Sequence, residues 1–277
     1  MAVSAFAEIV RNQLAWARRR NLSPSPDAYL STYTENLFAP LSSPTEKDFR
    51  GGAGCELDDH LDERAKMRAL FSSSGLVCNV FDYWRNTDSG SIGRSLAIES
   101  ALTEIRFEAQ LSSGLRGTPP TLDLLLVAGA ELAFGVECKF AEPYYQRRHE
   151  RIPFVDTYFK GKPGLWELLG LPKCQETAAR LYRGDIKFER LDAAQLLKHS
   201  LGLRRKFKEG QLILVWFNFK SVEAQTLSAE IRSFSELVDP CLGFRAVTWQ
   251  EVFADLAREP LADRRHVEYL RSRYFPE

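Results

Sequence analysis

The chain has 277 residues, of which 44% are hydrophobic and 27% charged, and its 37 Lys plus Arg balance 37 Asp plus Glu. This length supports one large α/β domain with elaborations, or two small ones. The zero formal net charge excludes a globally basic nucleic-acid binder and leaves only local basic patches.

Five cysteines, at 55, 78, 138, 174 and 241, show no CxxC and no Cys/His cluster, which argues against a disulfide framework and a zinc site. The N-terminus lacks an apolar signal core, and no run reaches the roughly 18 apolar residues of a membrane span. A soluble, cytoplasmic protein with no membrane partner is expected.

Residues 5–20 set Phe6, Ile9, Val10, Leu14 and Trp16 at near-helical spacing and end in Arg18-Arg19-Arg20, which complements a helix C-terminus. A second helix is expected over 27–37. Residues 38–56, with Pro40, Pro44 and several glycines, read as a connecting loop. Another helix is expected over 56–72, where acids precede bases as the macrodipole favours. The aromatic stretch Leu76 to Arg85 either packs a core edge or presents Tyr83 and Trp84 to a base, and packing is favoured. Residues 92–103 predict a short amphipathic helix. Residues 105–112 alternate as a strand, with Ile105, Phe107, Ala109 and Leu111 inward and Arg106, Glu108 and Gln110 outward.

Thr121 to Tyr144 reads as a β-hairpin, because apolar runs flank Ala128-Gly129-Ala130-Glu131 and the glycine supplies a turn. Pairing about Ala130 sets Leu122, Leu124 and Leu126 opposite Cys138, Val136 and Phe134 on an apolar face. Asp123, Glu137 and Lys139 then meet on the other face. Two neighbouring carboxylates beside apolar strands repel, and a divalent cation between them relieves this. Their oxygens suit Mg²⁺ or Mn²⁺, hard ions that keep waters and accept phosphate oxygens. Lys139 is placed to orient or deprotonate a water, or to stabilise charge on a phosphate.

Asp123 followed by Glu137-Cys138-Lys139, with Pro119-Pro120 just before the aspartate, resembles the PD-(D/E)XK motif of the restriction-endonuclease-like nuclease superfamily. The proline precedes Thr121-Leu122 rather than touching Asp123. The stretch 76–85 also resembles a segment of uncharacterised bacterial restriction-endonuclease-like proteins. The resemblance implies an αβββαβ core with a mixed central sheet, spanning about 92–220 within a domain over 56–277. It leaves 1–55 as an N-terminal helical extension, followed at the other end by a C-terminal α/β elaboration. It implies Asp123, Glu137 and the Val136 or Cys138 carbonyl as metal ligands, and Lys139 as the residue that positions the nucleophilic water. Relatives commonly add a glutamate: Glu99 fits by topology and Glu108 by geometry.

Beyond the hairpin, Gln146 to Arg151 is a basic cluster in which Arg147 and Arg148 are candidate phosphate contacts. Residues 152–172 read as an aromatic insertion, and 174–182 and 191–203 as helices. On the second helix Gln195, Lys198 and His199 share a polar side. Gln195 and His199, one turn apart, resemble a Gln-x-x-x-Tyr pair beside the active site of some relatives. Gln195 is assigned a site role, and Lys198 and His199 nucleic-acid contact. Arg204, Arg205 and Lys206 read as a positive loop of the same kind. Residues 211–219 predict a fourth, buried strand; helices over 223–238, 249–256 and 267–274 and a strand over 244–248 complete the chain.

The resulting expectation is an Mg²⁺- or Mn²⁺-dependent DNA endonuclease, plausible in restriction or antiviral defence, acting as a homodimer or with a defence-system partner. Two alternatives stay open: a catalytically inert nucleic-acid- or partner-binding module on the same fold, and another α/β enzyme in which the motif is accidental.

Overall fold

The computed structural model describes all residues except 1–3, 53, 61–62, 146–153, 239, 241 and 277. Helix α1 (Ala5–Arg19) forms where its spacing predicts, capped by Ser4, whose side chain accepts from the Ala7 amide at 3.3 Å. It buries Ile9 and Trp16 and packs on the last helix of the chain.

Three expectations before the sheet fail for identifiable reasons. No helix fills 27–37: only a 3₁₀ turn at Thr34–Asn36 forms, because Ala28 has φ 65° and Leu30 bonds the Arg68 carbonyl at 2.9 Å. The supposed loop contains α2 (Ser43–Gly51), which packs on the first strand; Pro44, read as a breaker, stands in its first turn, where a missing N–H costs nothing. Among the described residues of 56–72, the supposed helix is absent apart from a 3₁₀ turn at Lys66–Arg68. The Asp59 carboxylate takes the Ala65 amide at 2.8 Å and the Arg68 guanidinium at 2.7 Å, so the side chain outcompetes the helical backbone.

Residues 73–87 are helical throughout: α3 (Ser73–Val77), a π turn (Cys78–Asp82) and α4 (Tyr83–Thr87). Phe81 and Trp84 are fully buried and the Tyr83 hydroxyl donates to the Leu261 carbonyl, so the packing reading holds. Helix α5 (Ser89–Ser95) is shorter and earlier than expected, started by an Asp88 cap.

Five strands follow in spatial order: β1 (Glu104–Gln110), β2 (Thr121–Val127), β3 (Leu132–Lys139), β4 (Glu209–Trp216) and β5 (Arg245–Thr248). The first three are antiparallel, and β4 and β5 continue parallel to β3. The β2–β3 register sets Leu124 against Val136 and Leu126 against Phe134, as expected from the turn about Ala130.

Between β3 and β4 the chain makes α6 (Pro172–Arg183) and α7 (Ala193–Lys206), so Arg204, Arg205 and Lys206 form a last helical turn rather than a loop. Helix α7 covers the face carrying Gly135 and Glu137: a Cβ at Gly135 would lie 3.3 Å from Leu203. A side chain at this position would have to displace the ends of Leu122 and Leu203. Helices α8 (Val222–Val238), α9 (Trp249–Leu256) and α10 (Arg264–Tyr274) complete the chain, and one apolar core runs from Ala5 to Tyr274. No helix among the described residues is long and apolar enough to cross a membrane.

Candidate active site

The β2–β3 ladder stops at Leu124–Val136, just before the charged residues. Beyond it the Cys138 amide donates to Asp123 Oδ2 at 2.6 Å. A strand N–H lies in the plane of its sheet, so Asp123 is turned between the strands instead of standing off one face. Leu122 departs from the expected apolar face, since a Cβ at Gly135 would meet it at 2.9 Å beside Leu203. On the other side of β2 the β1 ladder skips the opposed Glu108 and Asp123, and Glu108 has φ 46°. A non-glycine residue in this region stores backbone strain, which here directs an acid toward the opening.

Glu137 is 2% exposed, and both its oxygens face cations or cation-capable groups. Lys139 Nζ donates to Oε1 at 2.5 Å, and the same amine reaches Gln195 Oε1 at 3.0 Å. Gln195 is held in the first turn of α7 by the Asp192 cap, which accepts its amide at 3.0 Å. One turn on, His199 Nε2 lies 3.0 Å from Glu137 Oε2 without the alignment of a hydrogen bond, so that buried oxygen has no well-directed donor. A void of about 10 Å³, room for one water, borders Glu137, Lys139 and Gln195.

The electrostatics follow from this crowding. Burial, with the neighbouring Glu137 charge, pushes the Asp123 carboxyl well above its ordinary range. Burial, then Glu56 and Glu137, raises Glu108 to about 8. Burial also opposes ionisation of Glu137, but Lys139 and His199 outweigh it and hold this carboxylate at about 2. Lys139 stays firmly protonated, because Glu137, Glu142 and Asp123 outweigh the cost of burying it. The site therefore holds one fixed anion and one fixed cation beside two carboxyls that resist ionisation.

Glu56, missed in the sequence because its stretch read as a helix with acids in its first half, is 8% exposed and bonds Ser74 Oγ at 2.8 Å and Lys66 at 3.4 Å. Its one signal was an acid preceding an unexpected breakdown of helix, which no local pattern reveals. His199 was expected on a DNA-facing side; it is 2% exposed and faces Glu137, because α7 packs on β3 and β4. Glu99, the alternative extra acid, lies exposed between α5 and β1, in the segment that enters the sheet at the Glu104–Val127 pair. The Cys138 thiol is buried and burial raises its pKa, so only its carbonyl suits a ligand role.

Lys198 is half-buried, its amine 5.4 Å from the Phe154 ring centroid and 5.9 Å from that of Tyr158. Arg204 is half-buried, whereas Arg205 and Lys206 are exposed about 15 Å along α7 from Gln195, at 1.5 Å rise per residue. The structure does not bring these three to the carboxylates. Arg147 and Arg148 lie outside the described residues.

A mixed five-stranded sheet sandwiched by helices, with Asp, Glu and Lys converging where two strands part, is an α/β fold of the restriction-endonuclease-like type. Residues 11–275 match the family described as Restriction Endonuclease associating with ARP, and the chain belongs to that family. No curated protein and no solved structure matches it.

Proposed function

We propose that the chain is a metal-dependent DNA endonuclease of the PD-(D/E)XK type, serving restriction or antiviral defence. The observation that carries the reading is the convergence of Asp123, Glu137 and Lys139 at the parted ends of β2 and β3. A family of restriction endonucleases has DNA as its natural substrate, and its description points to an associating partner.

Among the described residues no three acids, histidines or cysteines form a ready-made cation cage. That does not count against magnesium, which is ordinarily held by one or two carboxylates, with waters and phosphate oxygens completing its shell. The residues present fit such an ion: hard oxygen donors, one buried Glu137 oxygen without a directed partner, and two carboxyls whose ionisation a cation would favour. Asp123 and Glu137 would hold Mg²⁺ or Mn²⁺, with the Cys138 carbonyl and Glu108 as further oxygens. Bound there, the ion would lower the pKa of a water and offset charge on the phosphate.

The protein's own groups do the rest. Lys139, oriented by Gln195, presents a fixed positive charge to the phosphate and to the attacking water. The Cys138 amide keeps Asp123 between the strands, and His199 borders the second Glu137 oxygen. Cutting both strands of a duplex calls for two such sites, supplied by a second copy of the chain.

The test is incubation with supercoiled and linear DNA in Mg²⁺, Mn²⁺ or EDTA, alone and with the associating partner, beside Asp123→Ala and Lys139→Ala. Cleavage that needs the cation and disappears in both variants supports the reading. Cleavage in EDTA, or cleavage indifferent to both substitutions, overturns it.

A further inference from the structure

Arg273 and Arg245 carry buried guanidinium nitrogens on opposite terms. Arg273 spends its donors on Gln13 Oε1, the Asn36 carbonyl and the Tyr269 hydroxyl, at 3.1, 2.8 and 2.6 Å, and stacks on Trp16. Arg245, which opens edge strand β5, has Nε and Nη2 sealed from solvent with no hydrogen-bond partner among the described residues. The Phe134 ring lies 5.4 Å from its guanidinium carbon. Burial alone weakens its hold on the proton, and no carboxylate counters the effect. Arginine does not escape such a position by becoming neutral, so the charge stays and its lost hydration is not replaced.

Arg245 lines a cavity of about 380 Å³ between the end of α5, β5 and α9. That volume falls within the range of roughly 300–1,000 Å³ typical of small-molecule sites. The other charged groups on its wall are already matched. Arg94 bridges Asp88 and Glu259 at 2.8 Å each, Asp255 pairs with Arg258 at 3.3 Å, and Glu251 closes the capping box on Thr248. Arg245 is thus the cation of this wall without an opposite, and Nη1, the one nitrogen of its fork not sealed off, is open to a ligand.

We propose that this cavity binds a small molecule through an oxyanion, a phosphate or carboxylate group seated on Arg245. The open Nη1 carries two N–H donors and the guanidinium charge, which suit an oxyanion oxygen of either group. The site is separate from the catalytic candidates: Arg245 stands level with Ile213 and Val136, on the sheet face opposite Glu137. A ligand there would contact the sheet edge and not the Asp123, Glu137 and Lys139 cluster.

Thermal unfolding of the full chain is measured at constant ionic strength while inorganic phosphate, a 5′-mononucleotide or acetate is titrated, for wild type, Arg245→Met and Lys139→Ala. The expected result is a saturable rise in Tm for wild type and Lys139→Ala that is absent from Arg245→Met. A response to phosphate and nucleotide only assigns the phosphate group, and a response to acetate as well assigns the oxyanion generally. Ligand-free Arg245→Met is expected to melt no earlier than wild type, since it loses an unmatched charge and keeps its packing on Phe134. Arg245→Gln carries the same comparison if the methionine variant does not fold. A rise that survives in Arg245→Met, or that vanishes in Lys139→Ala, overturns the proposal, as does the lack of any saturable rise.

Discussion

The Cys138 amide donates to Asp123 at 2.6 Å, and this bond takes the place of a rung in the β2–β3 ladder. The aspartate is therefore both a structural acceptor and a candidate cation ligand, and the two roles separate by substitution. Asp123→Asn keeps an acceptor for the amide and removes the charge. It is expected to fold with near wild-type stability in urea and to lose DNA cleavage by about 10²-fold or more. Asp123→Ala strands the amide as well and should cost about 1–3 kcal/mol in the same melt. Equal stability of the two variants would show that the bond is not structural.

Glu108 supplies a pH signature. Its folded pKa, raised to about 8 against an ordinary 4.5, means that the folded chain holds a proton which the unfolded chain has released. The contribution is fully present below the unfolded value and is lost as pH rises to about 8. The slope is at most about 1.4 kcal/mol per pH unit, less for a partly exposed group. Urea melts of the cation-free protein should show stability falling from pH 5 to 8, and Glu108→Gln should flatten that fall. Mg²⁺ should flatten it too, since a cation favours the ionised carboxyl. A profile in which Glu108→Gln falls as steeply as wild type refutes the assignment.

Lys139 and Gln195 form a graded pair. Lys139→Met leaves Glu137 buried without its main counter-charge, a change expected to cost about 3–5 kcal/mol and to abolish cleavage. Gln195→Ala removes only the group that steadies the amine. It should lower kcat by roughly tenfold while leaving KM for DNA within about twofold. Kinetics on a short duplex separate these outcomes, and a Gln195→Ala enzyme as dead as Lys139→Met would assign Gln195 a direct part in the chemistry.

His199 is expected to act through Glu137. Its Nε2 borders the second Glu137 oxygen at 3.0 Å, and loss of such a neighbour behind a ligand typically weakens metal binding by about 10–100-fold. A Mn²⁺ titration followed by electron paramagnetic resonance should show that loss in His199→Ala, with His199→Gln nearer wild type. Unchanged Mn²⁺ affinity in both would reduce His199 to packing.

Much of the centre was legible in the chain itself. Gly129 and the apolar alternation on either side define the hairpin, because a shift of one residue would have buried Asp123, Glu137 and Lys139 among leucines. The strand at 105–112 and the helix carrying Gln195 were legible for the same reason: each has one face that must be covered. The stretch from 27 to 72 was not, since Asp59 and Pro44 act through partners and positions that periodicity does not register.

By itself, then, the sequence determined the register of the hairpin and the meeting of three charged side chains at one end of it, because local alternation and a turn suffice to set both. Only the tertiary structure decided that the strands part there, that Glu56 and His199 join the site, and that Arg245 is buried without a partner. Burial and contact between segments far apart in the chain are properties of the packed whole, and no window of residues carries them.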